Sequence, residues 1–268
     1  MKTLFFVLIS FLCIACTQKK ETSSIQNKST DSLAMHYWDD FDFANSNSEA
    51  TESAFPDYLQ MLSHCNPAAA EKSISALLNK AEENSPAAFD TITCLFEKYL
   101  YNPNSPIRNE ELYIPVLRYI CLSQSADFAS KSRAAFRLNM TLKNRVGTIA
   151  ADFEYVLRNG EKHKLSDVQA EYTVLFFNNP DCHDCARVKA VLSSIVHPQI
   201  KIVAIYPDEN VTSWEKTTYP ETWINGQSHE TIHQLYDLKA IPTLYLLDKN
   251  KRVILKDAPV KRIWEVVN

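Results

Sequence analysis

Glycine is nearly absent from this chain: the 268 residues contain three, Gly147, Gly160 and Gly226. Everything before Gly147 does without the positive backbone φ that glycine supplies, so that half of the chain reads as helical throughout. A basic excess is missing as well. Lys and Arg number 28 against 32 Asp and Glu, a net charge of −4, and this lacks the electrostatic footprint of a nucleic-acid binder. Beyond the leader, no second Cys-x-x-Cys and no Cys-x-x-His accompanies the pair Cys182 and Cys185, so the usual ligand set of a structural zinc site is incomplete. Long apolar runs are also lacking. The run Leu4 to Leu12 is too short for a permanent transmembrane helix, and one early lysine before it gives residues 1–15 the order of an export signal.

What the chain does have is the stretch Phe176-Phe177-Asn178-Asn179-Pro180-Asp181-Cys182-His183-Asp184-Cys185. Thr173 to Phe177 are β-branched or aromatic, as a buried strand requires, while Val188, Val191, Leu192 and Ile195 recur at helical spacing. The two thiols therefore sit at a strand-to-helix junction. Cys182 falls just before or at the first turn, where free backbone N–H groups and the helix dipole stabilise a thiolate. Cys185 comes round one turn to face it, a spacing that suits a disulfide opening and closing by exchange. A protonated His183 favours the Cys182 thiolate, and Asp184 opposes it by like charge. These offset, so the pair is expected to be moderately rather than strongly oxidising. Two other readings stay open on spacing alone. One is a metal site completed by His229 and His233, which otherwise read as solvent-facing residues; the other is a static disulfide.

Taken in order, Cys13-Ile14-Ala15-Cys16 looks like a bacterial lipoprotein cleavage box, which would make Cys16 the lipidated N-terminus; ordinary secretion is the alternative. Residues 16–34, rich in Ser, Thr, Lys and Gln, read as a disordered tether. Residues 35–142 read as an all-α domain. Asn66-Pro67 and Ser85-Pro86 each combine a helix cap with proline at the first helical position. Ala70, Ile74, Leu77, Leu78 and Ala81 form one apolar stripe, and Phe89, Ile92, Phe96, Tyr99 and Leu100 the next. A third helix is expected within Glu110 to Leu122, where Pro115 must delay its start or kink it, and a fourth from Ala126 to Leu142. His36-Tyr37-Trp38 and Phe41 to Phe43 are expected to pack on the side of this bundle. Its isolated cysteines, Cys65, Cys94 and Cys121, read as structural or inert, with one disulfide among them left open.

Residues 143–268 carry a resemblance. Leu238-Lys239-Ala240-Ile241-Pro242-Thr243-Leu244-Tyr245, a second strand over Asn250 to Leu255, and an Asn159-Gly160 hairpin after Val146 to Tyr155 join the Cys182 stretch in resembling thioredoxin-like proteins of the TlpA and ResA branch. The resemblance implies an α/β domain with a mixed sheet of four or five strands covered by helices on both faces. It places Ile200 to Tyr206 as a buried strand, Asp208 to Asn225 as an insertion, His229 to Tyr236 as a helix and Lys261 to Val267 as the closing helix. It also implies that Pro242 is cis and lies against the redox pair, with Ile241 beside it tuning the pair, and that a backbone edge there receives an extended substrate peptide. Two departures stand out: Asp181 where a tryptophan is common, and Phe176 where thioredoxins proper have a buried aspartate. The resemblance offers Glu209 as the substitute base, with a solvated loop glutamate as the alternative.

The segments containing Tyr37-Trp38, Glu97 to Pro106 and Arg108 to Tyr113 resemble uncharacterised lipoproteins with no assigned substrate. The sequence thus leads to an envelope-anchored, periplasm-facing thiol–disulfide oxidoreductase, a reductase or isomerase of protein disulfides. Cys182 is its nucleophile and Cys185 its resolving thiol. The implied partners are protein disulfides, a membrane thiol donor and the membrane itself through the lipid; no cofactor and no metal is implied. The alternative is a binding or scaffold lipoprotein with a vestigial or regulatory pair. A metal carrier using Cys182, Cys185 and a histidine comes third.

Overall fold

The computed structural model describes residues 29–43, 48–195, 197–228 and 231–268. The expected signal peptide, Cys16, the tether as far as residue 28, and His229 lie outside the described residues. The chain forms two compact units that divide between Ala135 and Phe136, seven residues before the expected boundary at 142/143. The reason lies in the second unit, where Lys256 Nζ donates to the carbonyls of Thr141 at 3.0 Å and Lys143 at 2.9 Å, drawing the residues before 143 into that unit.

In the first unit, residues 29–36 (α1) are already helical, so the tether ends earlier than residue 34. Ala34 is buried, its carbonyl accepts from Ser73 Oγ at 2.7 Å, and Asp31 accepts from the backbone N–H of Asn66 at 2.9 Å. Helices α2 (Ser48–Leu62), α3 (Pro67–Asn84), α4 (Pro86–Phe96) and α5 (Glu110–Leu122) follow, and α6 (Phe128–Thr141) begins in this unit and continues past its end at Ala135. Asn66 and Ser85 cap α3 and α4 as their sequence predicts, accepting from the N–H groups of Ala68 and Ala88. The α3 stripe from Ala70 to Ala81 is buried. Asn109 caps α5, which starts on time at Glu110 and runs through Pro115. Trp38 is buried, with its ring edge-on to Phe41 at 4.9 Å and Tyr58 at 5.5 Å. Cys65, Cys94 and Cys121 are free thiols, with Cys94 exposed.

The second unit is built on β1 (Glu154–Leu157), β2 (Lys162–Lys164), β3 (Tyr172–Phe177), β4 (Ile200–Tyr206), β5 (Ile224–Gln227), β6 (Thr243–Asp248) and β7 (Val253–Lys256). Among the described residues they make a seven-stranded sheet in the order β2-β1-β5-β4-β3-β6-β7, larger than the four or five strands expected. The β4–β3 and β5–β4 pairs are parallel, and the rest are antiparallel. The sheet gains strands because β1 and β2 join it through β5, a strand that starts at the end of the expected insertion and runs past it. β5 reads Ile-Asn-Gly-Gln, too short and polar to announce itself. Gly226 is what lets it pair, since a Cβ there would stand 2.5 Å from Cδ2 of the Tyr155 ring.

Central strand β3 is buried on both faces, which explains its unbroken apolar run. Leu175 and Phe177 face one core with Val203, Ile205, Tyr236 and Tyr245; Val174 and Phe176 face the other with Leu192, Leu244, Leu246 and Ile263. The helices are α7 (His183–Ser193), α8 (Thr212–Lys216), α9 (Ile232–Leu235) and α10 (Val260–Val267). Among the described residues of the expected His229 to Tyr236 helix, α9 covers Ile232–Leu235, and Val191 of α7 is 49% exposed, outside the buried stripe. No helix among the described residues is long and apolar enough to cross a membrane.

Candidate active site

Three neighbouring strand ends converge at one end of the sheet. In the parallel pair, Phe177 of β3 lies opposite Ile205 of β4, and in the antiparallel pair it lies opposite Thr243 of β6. The loop leaving β3 therefore meets the loop leaving β4 and the segment entering β6. Those three segments carry Asn178 to Cys182, Asp208 and Glu209, and Ile241-Pro242.

Cys182 is the N-cap of α7, with extended backbone at φ −89° and ψ 122°. Its sulfur takes the place of a capping oxygen and accepts from the backbone N–H of Cys185 at 3.4 Å. The Cys182 thiol also meets the carbonyl of Ile241 at 3.6 Å. The peptide bond between Ile241 and Pro242 is cis. The cis-proline segment and the first cysteine, 59 residues apart in sequence, are therefore in contact as expected.

Cys185 is 2% exposed and unbonded to Cys182, so the pair is in its dithiol form. Burial pushes the Cys185 thiol up to about 12; the backbone N–H of Asn179, donating to its sulfur at 3.4 Å, pulls the other way, while Cys182 and Asp184 add to the rise. Half-buried Cys182 and buried Cys185 thus differ in access as an attacking and a resolving sulfur must.

His183 and Asp184, expected to tune Cys182, are both exposed on the first turn of α7 and lie 3.9 Å apart. Asp184 turns to Arg187, at 3.0 Å, a partner one turn on that the sequence reading passed over. Glu209 is exposed and forms no hydrogen bond or ion pair among the described residues. The carboxylate tied to the redox loop is its neighbour Asp208, which accepts from Asn179 Nδ2 at 3.1 Å and faces His233 at 4.0 Å. Sequence reasoning missed Asp208, although it too is a carboxylate and lies one residue nearer the end of β4.

Asn178 and Asn179 were also passed over. Asn178 is 2% exposed, and its side-chain N–H groups donate to the carbonyls of Phe176 at 3.2 Å and Ile205 at 3.3 Å. Its Oδ1 accepts from the Tyr219 hydroxyl at 2.6 Å. Asn179 accepts from the backbone N–H of Cys182 at 3.1 Å and, through Oδ1, from that of Asp181 at 2.9 Å. Two consecutive asparagines at the end of a buried strand were the available signal, since amides so placed must be satisfied by neighbours.

Residues 22–144 match the family model described as a domain of unknown function, DUF5106. No curated protein matches the chain. A crystal structure of a thioredoxin-like protein from Bacteroides caccae is 40% identical, covers 90% of this chain and 92% of its own, and superposes with a TM-score of 0.84. The C-terminal domain of an uncharacterized protein from Bacteroides fragilis is 43% identical over 46% of this chain and 96% of its own, with a TM-score of 0.43. A domain of a possible thiol-disulfide isomerase from Cytophaga hutchinsonii is 23% identical over 47% of this chain and 92% of its own, with a TM-score of 0.41.

Proposed function

Because this chain belongs to the thioredoxin-like proteins, we propose that it is a thiol–disulfide oxidoreductase acting on protein disulfides as a reductase or isomerase. The observation that carries this reading is the contact of half-buried Cys182 with the Ile241 carbonyl beside a cis proline, while Cys185 waits buried behind it.

In the forward reaction the Cys182 thiolate attacks one sulfur of a substrate disulfide and the other leaves as a thiolate, which is protonated. Cys185 then loses its proton, attacks Cys182 Sγ and releases the second substrate sulfur. Two protein thiols become one disulfide and the substrate disulfide becomes two thiols, with both electrons and both protons passing to the substrate. The backbone beside Pro242 is the edge on which an extended substrate segment pairs. Ile241 adjusts the pair through its carbonyl contact with the Cys182 thiol, and His183 and Asp184 modulate it from the exposed first turn. A membrane thiol donor returns the pair to the dithiol state.

Asp208 replaces Glu209 in this reading as the carboxylate that supports the redox loop. The leader pattern of residues 1–15 and the box ending at Cys16 support a lipid anchor in the bacterial envelope with the catalytic unit facing the periplasm. The test is insulin reduction by the mature chain with dithiothreitol as the electron source. Catalysis lost in Cys182→Ser supports the reading; equal rates with and without the protein overturn it.

A further inference from the structure

Cys185 faces a difficulty that the exchange cycle does not itself solve. It must become a thiolate to resolve the mixed disulfide, yet it is buried, and burial strongly disfavours that charge. Of the groups acting on it, Cys182 and Asp184 also oppose the thiolate, leaving the Asn179 backbone N–H as the donor that favours it. A single donor works only if its peptide is held in place.

Two side-chain ties hold it. On the solvent side, Asn179 Nδ2 binds Asp208. On the core side, the preceding residue Asn178 is fastened to β3 and β4 by its two carbonyl contacts, and its one remaining acceptor is held by Tyr219 at 2.6 Å. Tyr219 comes from the segment between α8 and β5 and packs against the core face containing Phe176. Burial pushes this tyrosine up to about 12, and negative charge on Cys185 adds to the rise, so it stays a neutral donor. Lys189 of α7 closes the other side, with Nζ 4.9 Å from the ring centroid and 3.1 Å from the Thr218 carbonyl.

We propose that Tyr219, acting through Asn178, is a positioning residue for the resolving step, aiming the Asn179 N–H at the sulfur of Cys185 as that sulfur becomes charged. The inference rests on the exchange reading above. It separates the two half-reactions. The sulfur of Cys182 takes its own contacts from the Cys185 N–H and the Ile241 carbonyl, neither of which involves Tyr219; Asn179 reaches Cys182 through its carbonyl, which accepts the Cys182 backbone N–H at 3.1 Å, so the attacking sulfur is not held by the donor that Tyr219 aims.

The experiment uses Ellman's reagent with the mature chain and its Tyr219→Phe variant, which removes one hydroxyl and leaves the ring. Attack by Cys182 releases one thionitrobenzoate, and resolution by Cys185 releases a second; a Cys182→Ser/Cys185→Ser control subtracts the other thiols. The rates are followed from pH 6 to pH 10. The charged groups that bear on the result are Asp184 on α7, Cys182, Tyr206 and Tyr219, with Lys189 beside the Tyr219 ring, Arg158 acting on Tyr219 through its charge, and Asp208 with His233 behind Asn179. The expected result is a second phase slowed about fivefold, the worth of one well-placed hydrogen bond, with its pH profile moved upward and the first phase unchanged. A Tyr219→Phe second phase matching the parent in rate and profile overturns the inference while leaving the exchange reading intact. So does equal slowing of both phases, which marks a general packing role. Absence of either phase in the parent chain overturns the exchange reading itself.

Discussion

Reduced Cys185 should be almost inert to alkylation at neutral pH although it sits three residues from a reactive thiol. Its thiol is pushed up to about 12, chiefly by burial. At pH 7 a group of that acidity is ionised to about one part in 10⁵, whereas an ordinary exposed cysteine near 9.0 is ionised to about 1%, a ratio on the order of 10³. Only the thiolate reacts with iodoacetamide, and the 2% exposure of Cys185 adds a steric barrier to the electrostatic one. The reduced protein should therefore be pulsed with iodoacetamide at pH 7, quenched in acid, unfolded, labelled with a heavier reagent and mapped by mass spectrometry. Cys182 should carry the first label and Cys185 the second, with Cys185 at least a hundredfold slower. Modification of Cys185 within tenfold of a free thiol would refute the view that burial governs the asymmetry of the pair.

Other consequences follow from the same contacts. Because the folded Cys185 holds its proton from an ordinary 9.0 up to about 12, the folded state binds more protons than the unfolded one in that window. Its contribution to stability is present below pH 9 and lost as pH rises to 12, by at most about 4 kcal/mol, measurable as a falling urea midpoint. Gly226→Ala drives a Cβ into the Tyr155 ring and should cost about 1–3 kcal/mol, seen as a lower urea midpoint at unchanged slope. Asp208→Ala removes the tie to Asn179 and should slow insulin reduction about fivefold, while Glu209→Gln leaves it unchanged; the reverse order would restore Glu209. Asn66→Ala removes the cap of α3 and should cost about 1 kcal/mol in thermal or urea unfolding.

Much of the framework was legible in the chain because each signal had a local cause. The absence of glycine before Gly147 marked the helical unit, and Asn-Pro and Ser-Pro marked its helix starts. A run of β-branched and aromatic residues ending in Cys182-x-x-Cys185 marked the central strand and the helix after it. What escaped was set by tertiary contact. Strand β5 exists because Gly226 leaves room for Tyr155, about seventy residues away, and a four-residue polar strand has no period of its own. Asp208 and Glu209 are neighbouring carboxylates in sequence, and only the folded chain shows that Asp208 is the one bonded to Asn179. Tyr219 lay inside what read as an insertion, with nothing local to connect it to Asn178. Of the two outcomes expected at Pro115, the delayed start does not occur: α5 begins at Glu110 and runs through the proline, with Tyr113, Ile114, Val116 and Leu117 buried around it.

The central claim is that Cys182 attacks protein disulfides and Cys185 releases them. The most direct measurement is to express the full chain with Cys185→Ser in its native envelope, quench with acid, and separate the adducts by non-reducing and then reducing electrophoresis. The account predicts a defined set of mixed disulfides through Cys182, absent from a Cys182→Ser/Cys185→Ser control and sparse in the parent chain. A folded, exported Cys185→Ser protein that captures no protein would contradict it.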